Sequence, residues 1–533
     1  MWDVVVIGGG GAALCAALSA AEASSHVLVL SKSKLGLGNC TAVSHGAFSL
    51  GVGGFDPDKH REITRETGRW INERKLVEIL TAEGPDAVLG LEAYGIKFKI
   101  TPGLASVVPY AARETVAGTA FTLPLVQAIQ NNPNIQVREQ ALVTDILADA
   151  HGALGVEYLD LVTGTETQIA AQATVVATGG AGQLYARTDN PVRTTGDGYA
   201  LLYNLGLELK DMEFVQFFPL SFADEELPGC LIPIALIDKV PLTNNQGKEF
   251  IKEKLPEWGL ESGAGAGRYA RDRSARAVAK EIAAGRGAFL HLNLLPEEAW
   301  ESGIVADLAR IARPRIDLRH EPVAVAPTQH FFCGGVITGT EGQTKIPGIF
   351  ACGEVTAGIH GANRVGGNAL TELVVFGLRA GKAAAAHARE AKRRSKELPV
   401  GSISSRRNKW DQSQVQSPRE FKQQLQKLST QYLGVLRTAS GLKLALEKLQ
   451  ELGTTMENFS ARDPKAFQEA VEAENLYLTA LMVANSALRR EESRGVHYRE
   501  DFPTEDNHNW RRSIIILKGE NGSPCLKEGP PLN

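Results

Sequence analysis

The chain has 533 residues, 43 % of them hydrophobic, and a formal net charge of −4. At roughly 100–200 residues per domain this length predicts several domains, and the charge excludes a strongly basic surface for nucleic acid. The 6 cysteines lie far apart without metal-ligand spacing, which predicts a reduced, cytoplasmic protein with no metal site. The apolar N-terminus lacks the basic residues of a signal peptide, and no run reaches the roughly 20 apolar residues of a membrane helix.

The first residues predict a strand, a glycine turn and a helix. Trp2–Ile7 is typical of a buried parallel strand, and 14–23 is an Ala-rich helical stretch. Between them, Gly8, Gly10 and Ala13 fill the three positions of G-x-G-x-x-G/A. These positions give a tight turn, close approach of a pyrophosphate to the backbone, and close packing of helix on strand. A dinucleotide site is therefore expected here.

The second predicted strand, "HVLVL", ends in Ser31 and Lys32. An acidic ligand for a ribose is usual about 20 residues beyond the glycines. Its absence favours a buried FAD, whose ribose a Ser hydroxyl and backbone groups could hold, over a free NAD.

Apolar segments further along the chain predict how the first sheet is completed. "QATVVATGG" and, much later, "GIFACGE" both resemble strands that end in glycine, so the residues from about 221 to 327 are expected to be an insertion. The segment 392–417 is polar and predicts a linker or exposed excursion. The segments that follow it carry apolar residues at three- and four-residue spacing, which predicts antiparallel helices.

Several long segments occur in the order typical of one protein family. They include "ATGGAGQLYARTDNP", "TTGDGYALLYNLGLELKDMEFVQF", "RDRSARAVAKEI", "HFFCGGV", "IPGIFACGEVTAGIHGANRVGGNALTE" and "ALRREESRGVHYREDFP". The chain resembles the flavoproteins of succinate dehydrogenase, fumarate reductase and L-aspartate oxidase over nearly its whole length.

The resemblance implies an α/β fold in which a Rossmann-like FAD-binding domain is interrupted by an α+β capping domain and followed by a C-terminal helical domain. The expected boundaries are 1–220 and 330–391 for the FAD-binding domain, 221–329 for the capping domain, 392–417 for a linker, and 418–533 for the helical domain and tail.

The resemblance also implies how FAD is held. Relatives can attach FAD through a histidine of an "S-H-T" motif, but "GNCTAVSHGAFS" has Cys40 at that position. A cysteinyl thioether is chemically possible; a buried thiol beside noncovalent FAD is the preferred interpretation. Glu354 is the implied ribose ligand, and 367–369 is the implied helix N-terminus beneath the flavin ring. The full set of expected cofactor-binding residues is Gly8, Gly10, Gly11, Ala13, Ser31, Lys32, Cys40, Thr41, Gly46, Ala177, Thr178, Gly179, Asp197, Glu354, Gly367, Asn368, Ala369 and Leu370.

The implied catalytic residues are Arg271, His330 and Arg364. In relatives, the arginine of "HGANR" and the histidine before "GG" bind a substrate carboxylate, and here these are Arg364 and His330. A guanidinium matches a carboxylate in a bidentate manner. Arg271 occupies the position of the family's proton donor to the substrate carbon. A structural ion pair for each arginine, and a core position for His330, are the alternatives. His360 is expected to be structural.

The chain departs from the family pattern at the other end of the implied site. Relatives read "EFVQFHPT", whose His and Thr hold a second carboxylate, whereas this chain has Phe218 and Leu220 there. Both residues are therefore expected to contact the substrate. The family's "E-x-x-R-G-E-G" relay is also missing, and Asp238 and Lys239 are the only charges in the corresponding segment.

Several functions fit these residues. The first is an FAD-dependent oxidoreductase of the succinate or fumarate type, with either rearranged contacts to the second carboxylate or a substrate that has one carboxylate and an apolar remainder. The alternatives are L-aspartate oxidase, and a flavin electron-transfer subunit without substrate chemistry. The expected partners are a small carboxylic acid and an iron–sulfur or other electron-transfer subunit, which could place the chain at the inner face of the cytoplasmic membrane.

Overall fold

A computed structural model describes residues 1–23, 25–110, 116–391, 398–399, 401–410 and 416–532. Its strands, in chain order, are β1 (Trp2–Ile7), β2 (Val27–Leu30), β3 (Ala47–Ser49), β4 (Phe98–Thr101), β5 (Leu104–Val107), β6 (Ile135–Arg138), β7 (Ala141–Asp149), β8 (Gly152–Asp160), β9 (Glu166–Val176), β10 (Leu209–Lys210), β11 (Val215–Phe222), β12 (Leu242–Thr243), β13 (Phe289–Leu290), β14 (Val323–Phe332), β15 (Gly335–Val336), β16 (Ile349–Ala351), β17 (Ile514–Lys518) and β18 (Pro524–Glu528). Its α-helices are α1 (Gly11–Glu22), α2 (Pro57–Thr67), α3 (Arg74–Leu89), α4 (Gly118–Gln130), α5 (Asp197–Asn204), α6 (Gly263–Tyr269), α7 (Arg271–Ala283), α8 (Gly303–Ala312), α9 (Asn368–Glu390), α10 (Ile403–Trp410), α11 (Pro418–Tyr432), α12 (Ala439–Thr454), α13 (Pro464–Arg489) and α14 (Asn507–Trp510).

The central sheet is parallel in the order β6-β2-β1-β9-β16. The first half of the long strand β9 pairs instead with the antiparallel hairpin β7–β8. Strand β1 is apolar and largely buried because helices or other strands cover both faces of such a sheet. Phe350 of β16 pairs with Val175 of β9, so distant sequence completes the first sheet, as predicted.

Helices α1 and α9 pack against each other at very short range. A Cβ atom on Gly381 of α9 would lie 2.2 Å from the carbonyl oxygen of Ala16, and one on Gly377 would lie 2.9 Å from that of Ala12. Only glycine permits this approach. Both contacts run in the same direction along the two helices, so the helices are parallel, and the first turns of α9 extend beyond the start of α1.

The chain leaves this domain through β11 and returns through β14, which pair with each other in an antiparallel manner. The residues between them fold around a separate hydrophobic cluster that includes Leu220, Ile232 and Leu290. This cap touches the first domain through polar contacts. Arg268 Nη2 donates to Ser49 Oγ at 3.1 Å, and Asn363 Nδ2 donates to Asp272 Oδ1 at 3.0 Å.

Helices α11, α12 and α13 pack together around buried residues such as Leu425, Leu449 and Leu476. The expected helical domain is therefore present. The tail beyond it forms a β-hairpin, β17–β18, which pairs with β10 of the first domain. This hairpin was not predicted from the sequence.

The predicted linker 392–417 contains α10, whose terminal residues Ile403 and Trp410 are buried. The Trp410 ring packs on Phe459 and Phe467 at 5.9 and 5.3 Å. Two apolar residues seven positions apart lie on one face of a helix, and this was the missed signal. Residues 403–410 are thus packed helix, so the prediction of an exposed linker is wrong there. Residues 392–397, 400 and 411–415 of that linker lie outside the described part of the chain.

Candidate active site

One cavity of about 850 Å³ lies where α1, α9 and the cap meet. Its volume is within the range of roughly 300–1,000 Å³ usual for ligand sites. The predicted site residues that line it are Gly8, Gly10, Gly11, Ser31, Lys32, Cys40, Thr41, Gly46, Ala177, Thr178, Gly179, Asp197, Arg271, His330, Glu354, Arg364, Gly367, Ala369 and Leu370. The predicted residues Ala13, Phe218, Leu220 and Asn368 are not among its lining residues.

The glycine turn after β1 has the geometry expected for a dinucleotide. Gly8 has φ +133°, and a Cβ there would lie 2.2 Å from the carbonyl oxygen of Ala177. A Cβ on Gly10 would meet no neighbour closer than 3.7 Å, which is ordinary van der Waals contact, and Gly10 lines the cavity. Gly11 N–H donates to Thr41 Oγ1 at 3.1 Å. Ala13 faces Gly8 and packs the helix on the strand, so its role is packing rather than cofactor contact.

Glu354 also fits a dinucleotide site. It accepts one hydrogen bond, from the Phe332 N–H to Oε1 at 3.0 Å, and burial raises the pKa of its carboxyl to about 8. Ribose hydroxyl groups would satisfy the remaining lone pairs of this carboxylate, and the residues present therefore suit FAD.

Lys32 and Asp197 form an ion pair at the cavity wall. Lys32 Nζ lies 2.7 Å from Asp197 Oδ2 and 3.1 Å from Glu472 Oε1 of α13. Burial lowers the pKa of Lys32, but the Asp197 and Glu472 charges outweigh burial and raise it. Both residues also line the cavity, so their predicted contact with the cofactor stays a prediction. Glu472, contributed by the C-terminal helices, was missed because nothing local to its sequence marks it.

Cys40 lines the cavity as a thiol. Its Sγ lies 3.7 Å from Thr194 Oγ1, and burial raises the pKa of the thiol, with the Glu354 charge adding to this. A thioether forms from the thiolate. The environment therefore disfavours a covalent bond to the cofactor.

Arg364 is buried and has no ion-pair partner in the described part of the chain. Its guanidinium stacks on Phe331 at 4.4 Å, and its Nε has no hydrogen-bond partner. Nη1 makes one long contact, 3.5 Å, to the carbonyl oxygen of Val365. Burial lowers the pKa of Arg364. The structural ion pair considered for Arg364 is therefore not seen among the described residues. A buried cation without a partner is strongly unfavourable, so Arg364 is suited to bind an anion.

Arg271 reaches the same part of the cavity from the start of α7. Its Nε donates to the Gly267 carbonyl at 2.7 Å, its guanidinium lies over the Phe218 ring at 5.1 Å, and its Nη1 is unpartnered. Burial and the nearby Arg364 charge lower the pKa of Arg271 to about 9. A Cβ on Gly366 would lie 2.8 Å from Arg271 Nη2. That glycine therefore makes room for Arg271.

His330 is held by Asp189, with 2.7 Å between Nδ1 and Oδ2. Because a carboxylate only accepts hydrogen bonds, Nδ1 donates, and Nε2 needs a further proton before it can donate to an anion. Burial lowers the pKa of His330; Asp189 opposes this effect, while the Arg364 and Arg271 charges add to it. The three predicted catalytic residues thus lie close enough together to influence one another electrostatically. Asp189 was missed, although it stands in the quoted "ARTDNP".

Two predicted contacts are wrong. Leu220 lies in the hydrophobic cluster of the cap. Strand alternation would place it on the same face as Phe218, but the register of β11 shifts between Phe218 and Ser221. Asn368 binds His60 Nε2 at 2.8 Å and Thr64 Oγ1 at 3.0 Å, away from the cavity. Phe218 lies behind the catalytic side chains, in contact with His330 and Arg271.

Gly367 begins α9 with φ +92°, and a Cβ there would lie 2.8 Å from the backbone nitrogen of Ser49. The glycine is needed for this approach to β3, and it also lines the cavity.

Comparisons with known proteins agree with this geometry. Residues 3–370 match the FAD binding domain family model, and residues 422–530 match the fumarate reductase flavoprotein C-terminal model. One subunit of the fumarate reductase (CoM/CoB) of Methanothermobacter marburgensis is 33 % identical, over 96 % of both chains. An L-aspartate oxidase of Streptomyces coelicolor is 32 % identical, over 96 % of this chain and 91 % of that one. The E. coli quinol fumarate reductase structure matches with a TM-score of 0.89 and 26 % identity, over 100 % of this chain and 97 % of that one.

The chain belongs to the flavoprotein family of succinate dehydrogenase, fumarate reductase and L-aspartate oxidase. It is an FAD-dependent oxidoreductase, and the predicted family, fold class and cofactor are confirmed. None of the described helices combines the length and apolar character needed to cross a membrane.

Proposed function

We propose that this chain transfers hydride between FAD and a carbon–carbon bond next to a carboxylate. The main support is Arg364, a buried guanidinium that has no carboxylate partner among the described residues and lines the FAD cavity. A substrate carboxylate would supply the missing charge through two parallel hydrogen bonds. The coplanar fork of the guanidinium would also fix the orientation of that group.

Bound FAD supplies the hydride chemistry at N5. Arg364 and a protonated His330 hold the carboxylate and stabilise the negative charge that develops on it in the transition state. During reduction, Arg271 donates a proton to the carbon next to the carboxylate, and the hydride is added to the following carbon. The lowered pKa of Arg271, about 9, makes it a better acid than an ordinary arginine while it stays protonated at neutral pH.

The missing family relay has no substitute in Asp238. Its carboxylate accepts from the backbone N–H groups of Gly263 at 2.7 Å and Ala264 at 3.1 Å, and so it stabilises the start of α6. Arg271 would therefore regain its proton from water.

The two electrons for reduction would come from an iron–sulfur or other electron-transfer subunit, located with this chain at the inner face of the cytoplasmic membrane. Among the described residues, no group of three or more His, Cys, Asp or Glu could hold a metal ion, so the relay would belong to a partner. Co-purification followed by iron analysis tests this. A native complex free of iron and of any other redox subunit would contradict it.

The test of the reaction uses the FAD-loaded protein, reduced anaerobically with dithionite and mixed with unsaturated mono- and dicarboxylic acids. Reappearance of oxidised flavin absorbance with at least one acid is expected. The second candidate, L-aspartate oxidase, is favoured by the Streptomyces coelicolor relative. It requires instead that L-aspartate bleaches the oxidised flavin and that oxygen restores it rapidly. No response to any acid or to L-aspartate would leave only the electron-transfer role.

A further inference from the structure

We infer that the substrate is an α,β-unsaturated acid with a single carboxylate and an apolar substituent on its β carbon, or the corresponding saturated acid in the reverse direction. This inference rests on the proposed function and specifies its substrate class.

The cations that line the cavity are sufficient to bind one carboxylate of a substrate. Among the described lining residues, Lys32 and Arg193 both pair with Glu472, at 3.1 and 3.8 Å. Arg310 pairs with Asp307 at 2.6 Å, and its side chain is 79 % exposed. Arg271 and Arg364 are the remaining cations.

These two arginines serve the same end of the cavity. Both positive charges lower the pKa of His330, and the Arg364 charge also lowers the pKa of Arg271. Arg271 has its Nε committed to Gly267 and one face covered by Phe218, which suits a proton donor better than a second carboxylate clamp. The two arginines without a carboxylate partner therefore lie near His330, at one end of the cavity, where one carboxylate would bind.

The wall contributed by the cap is apolar. Helix α8 lines the cavity with Ile304, Leu308 and Ile311, which are spaced four and three residues apart and so share a face. The charge of Asp307, on the same helix, raises the pKa of His45, and the charge of Arg271 lowers it. Helix α8 thus lies beside the catalytic end of the cavity.

Apolar residues also line the cavity at the protein surface. Val43 and Val116 line the same cavity and are 47 % and 40 % exposed. An alkyl or aryl group could follow the apolar wall outward from the catalytic end. Ser44 and Thr119 also line the cavity and could donate to a second acid group, but neither carries a charge. Burial lowers the pKa of His45, the donor beside α8, and favours its neutral imidazole. The lost hydration of a second carboxylate would therefore not be offset by a cation.

The step balances with one carboxylate. The β carbon receives hydride, the α carbon receives the Arg271 proton, and the C=C bond becomes CH–CH. The two electrons come from the electron-transfer partner of the proposed function, and the carboxylate held by Arg364 takes up the developing charge.

The experiment mixes the dithionite-reduced, FAD-loaded full chain with fumarate, crotonate, trans-2-hexenoate and cinnamate under anaerobic stopped flow. Flavin reoxidation by hexenoate or cinnamate should have a second-order rate constant at least about 100-fold above that of fumarate. A larger rate constant for fumarate would overturn the inference and leave the proposed function standing. If no acid reoxidises the flavin, both fail.

A substitution in α8 distinguishes the loss of an apolar substrate contact from a nonspecific loss of activity. Ile304→Ala should raise the KM for hexenoate about tenfold and change that for the shorter crotonate little, since a lost apolar contact affects only a substrate that makes it. Ile282→Ala is the matched control, because Ile282 lies on the cap but is 40 % exposed and away from the cavity. Equal effects of Ile304→Ala on both acids would contradict the assigned wall.

Discussion

Asp189 and His330 form a partly buried pair in which the carboxylate fixes the imidazole, with 2.7 Å between Oδ2 and Nδ1. The Asp189 charge also raises the pKa of His330 against the effect of burial. Asp189→Asn should therefore leave His330 harder to protonate and weaken carboxylate binding by about 10- to 100-fold, the value of a hydrogen bond to a charged group. The Kd of a substrate acid, measured between pH 6 and 8 by the usual titration of flavin absorbance, checks this. An unchanged Kd would show that Asp189 has only a structural role.

The pH dependence of reduction should report Arg271. Its pKa is lowered to about 9 by burial and by Arg364, and the protonated form is the proton donor. The value of kcat/KM should therefore fall as pH rises through about 9, since this parameter reports the free enzyme. Arg271→Lys should shift that limb, whereas Arg271→Gln should abolish turnover and retain bound flavin. A profile that stays flat well above pH 9 would exclude Arg271 as the acid.

Arg364 should lower the free energy of unfolding of the ligand-free protein while it enables binding of the substrate acid. Its buried guanidinium lacks a carboxylate partner in the described part of the chain, so Arg364→Met should raise the free energy of unfolding of the ligand-free protein by about 1–3 kcal/mol. The same variant should lose acid binding. Denaturant unfolding and flavin titration measure the two effects.

Arg490 provides the matched control for that substitution. It is equally buried but lies 2.6 Å from Glu213 and 3.1 Å from Glu492. Removing it leaves those carboxylates uncompensated, so Arg490→Met should lower the free energy of unfolding by about 3–5 kcal/mol. If both methionine variants were equally destabilised, the interpretation of Arg364 as an unpaired charge would be wrong.

Glu354 should couple FAD binding to pH. Burial raises the pKa of its carboxyl to about 8 in the protein without ligand, and ribose hydroxyl groups would favour the ionised form. FAD affinity should then increase as pH rises toward about 8, with release of a proton on binding below that pH. Quenching of flavin fluorescence on binding measures the affinity. Glu354→Gln should bind more weakly and lose the pH dependence; a Glu354→Gln variant that kept it would contradict this assignment.

The flavin should be held without a covalent bond. Burial raises the pKa of the Cys40 thiol, which keeps the reactive thiolate scarce. Acid precipitation should therefore release yellow FAD into the supernatant, and the mass of the denatured chain should match its sequence. Cys40→Ala should retain FAD. A mass increase of flavin size would reverse this conclusion.

Motifs that depend on local geometry were predictable from the sequence. The turn at Gly8 and the return of the chain at β16 follow from glycine spacing and short apolar runs, which have a direct backbone meaning. Arg364 could be placed because the family resemblance gave its role. Leu220 was misplaced because a register shift in β11 reverses strand alternation, and alternation alone does not reveal such a shift.

The remaining site residues depend on contacts between distant segments. Asp189 reaches His330 across 141 positions, and the apolar residues of α8 resemble ordinary core residues until the cap is placed over the cavity. Local patterns carry no information about such partners.

Glu472 and Lys32 are separated by 440 positions, yet they meet beside the cofactor cavity. A ribosome must therefore make most of the chain before this ion pair can form. We expect FAD capture to follow synthesis of α13, and a chain cut before α13 to be unable to retain the cofactor.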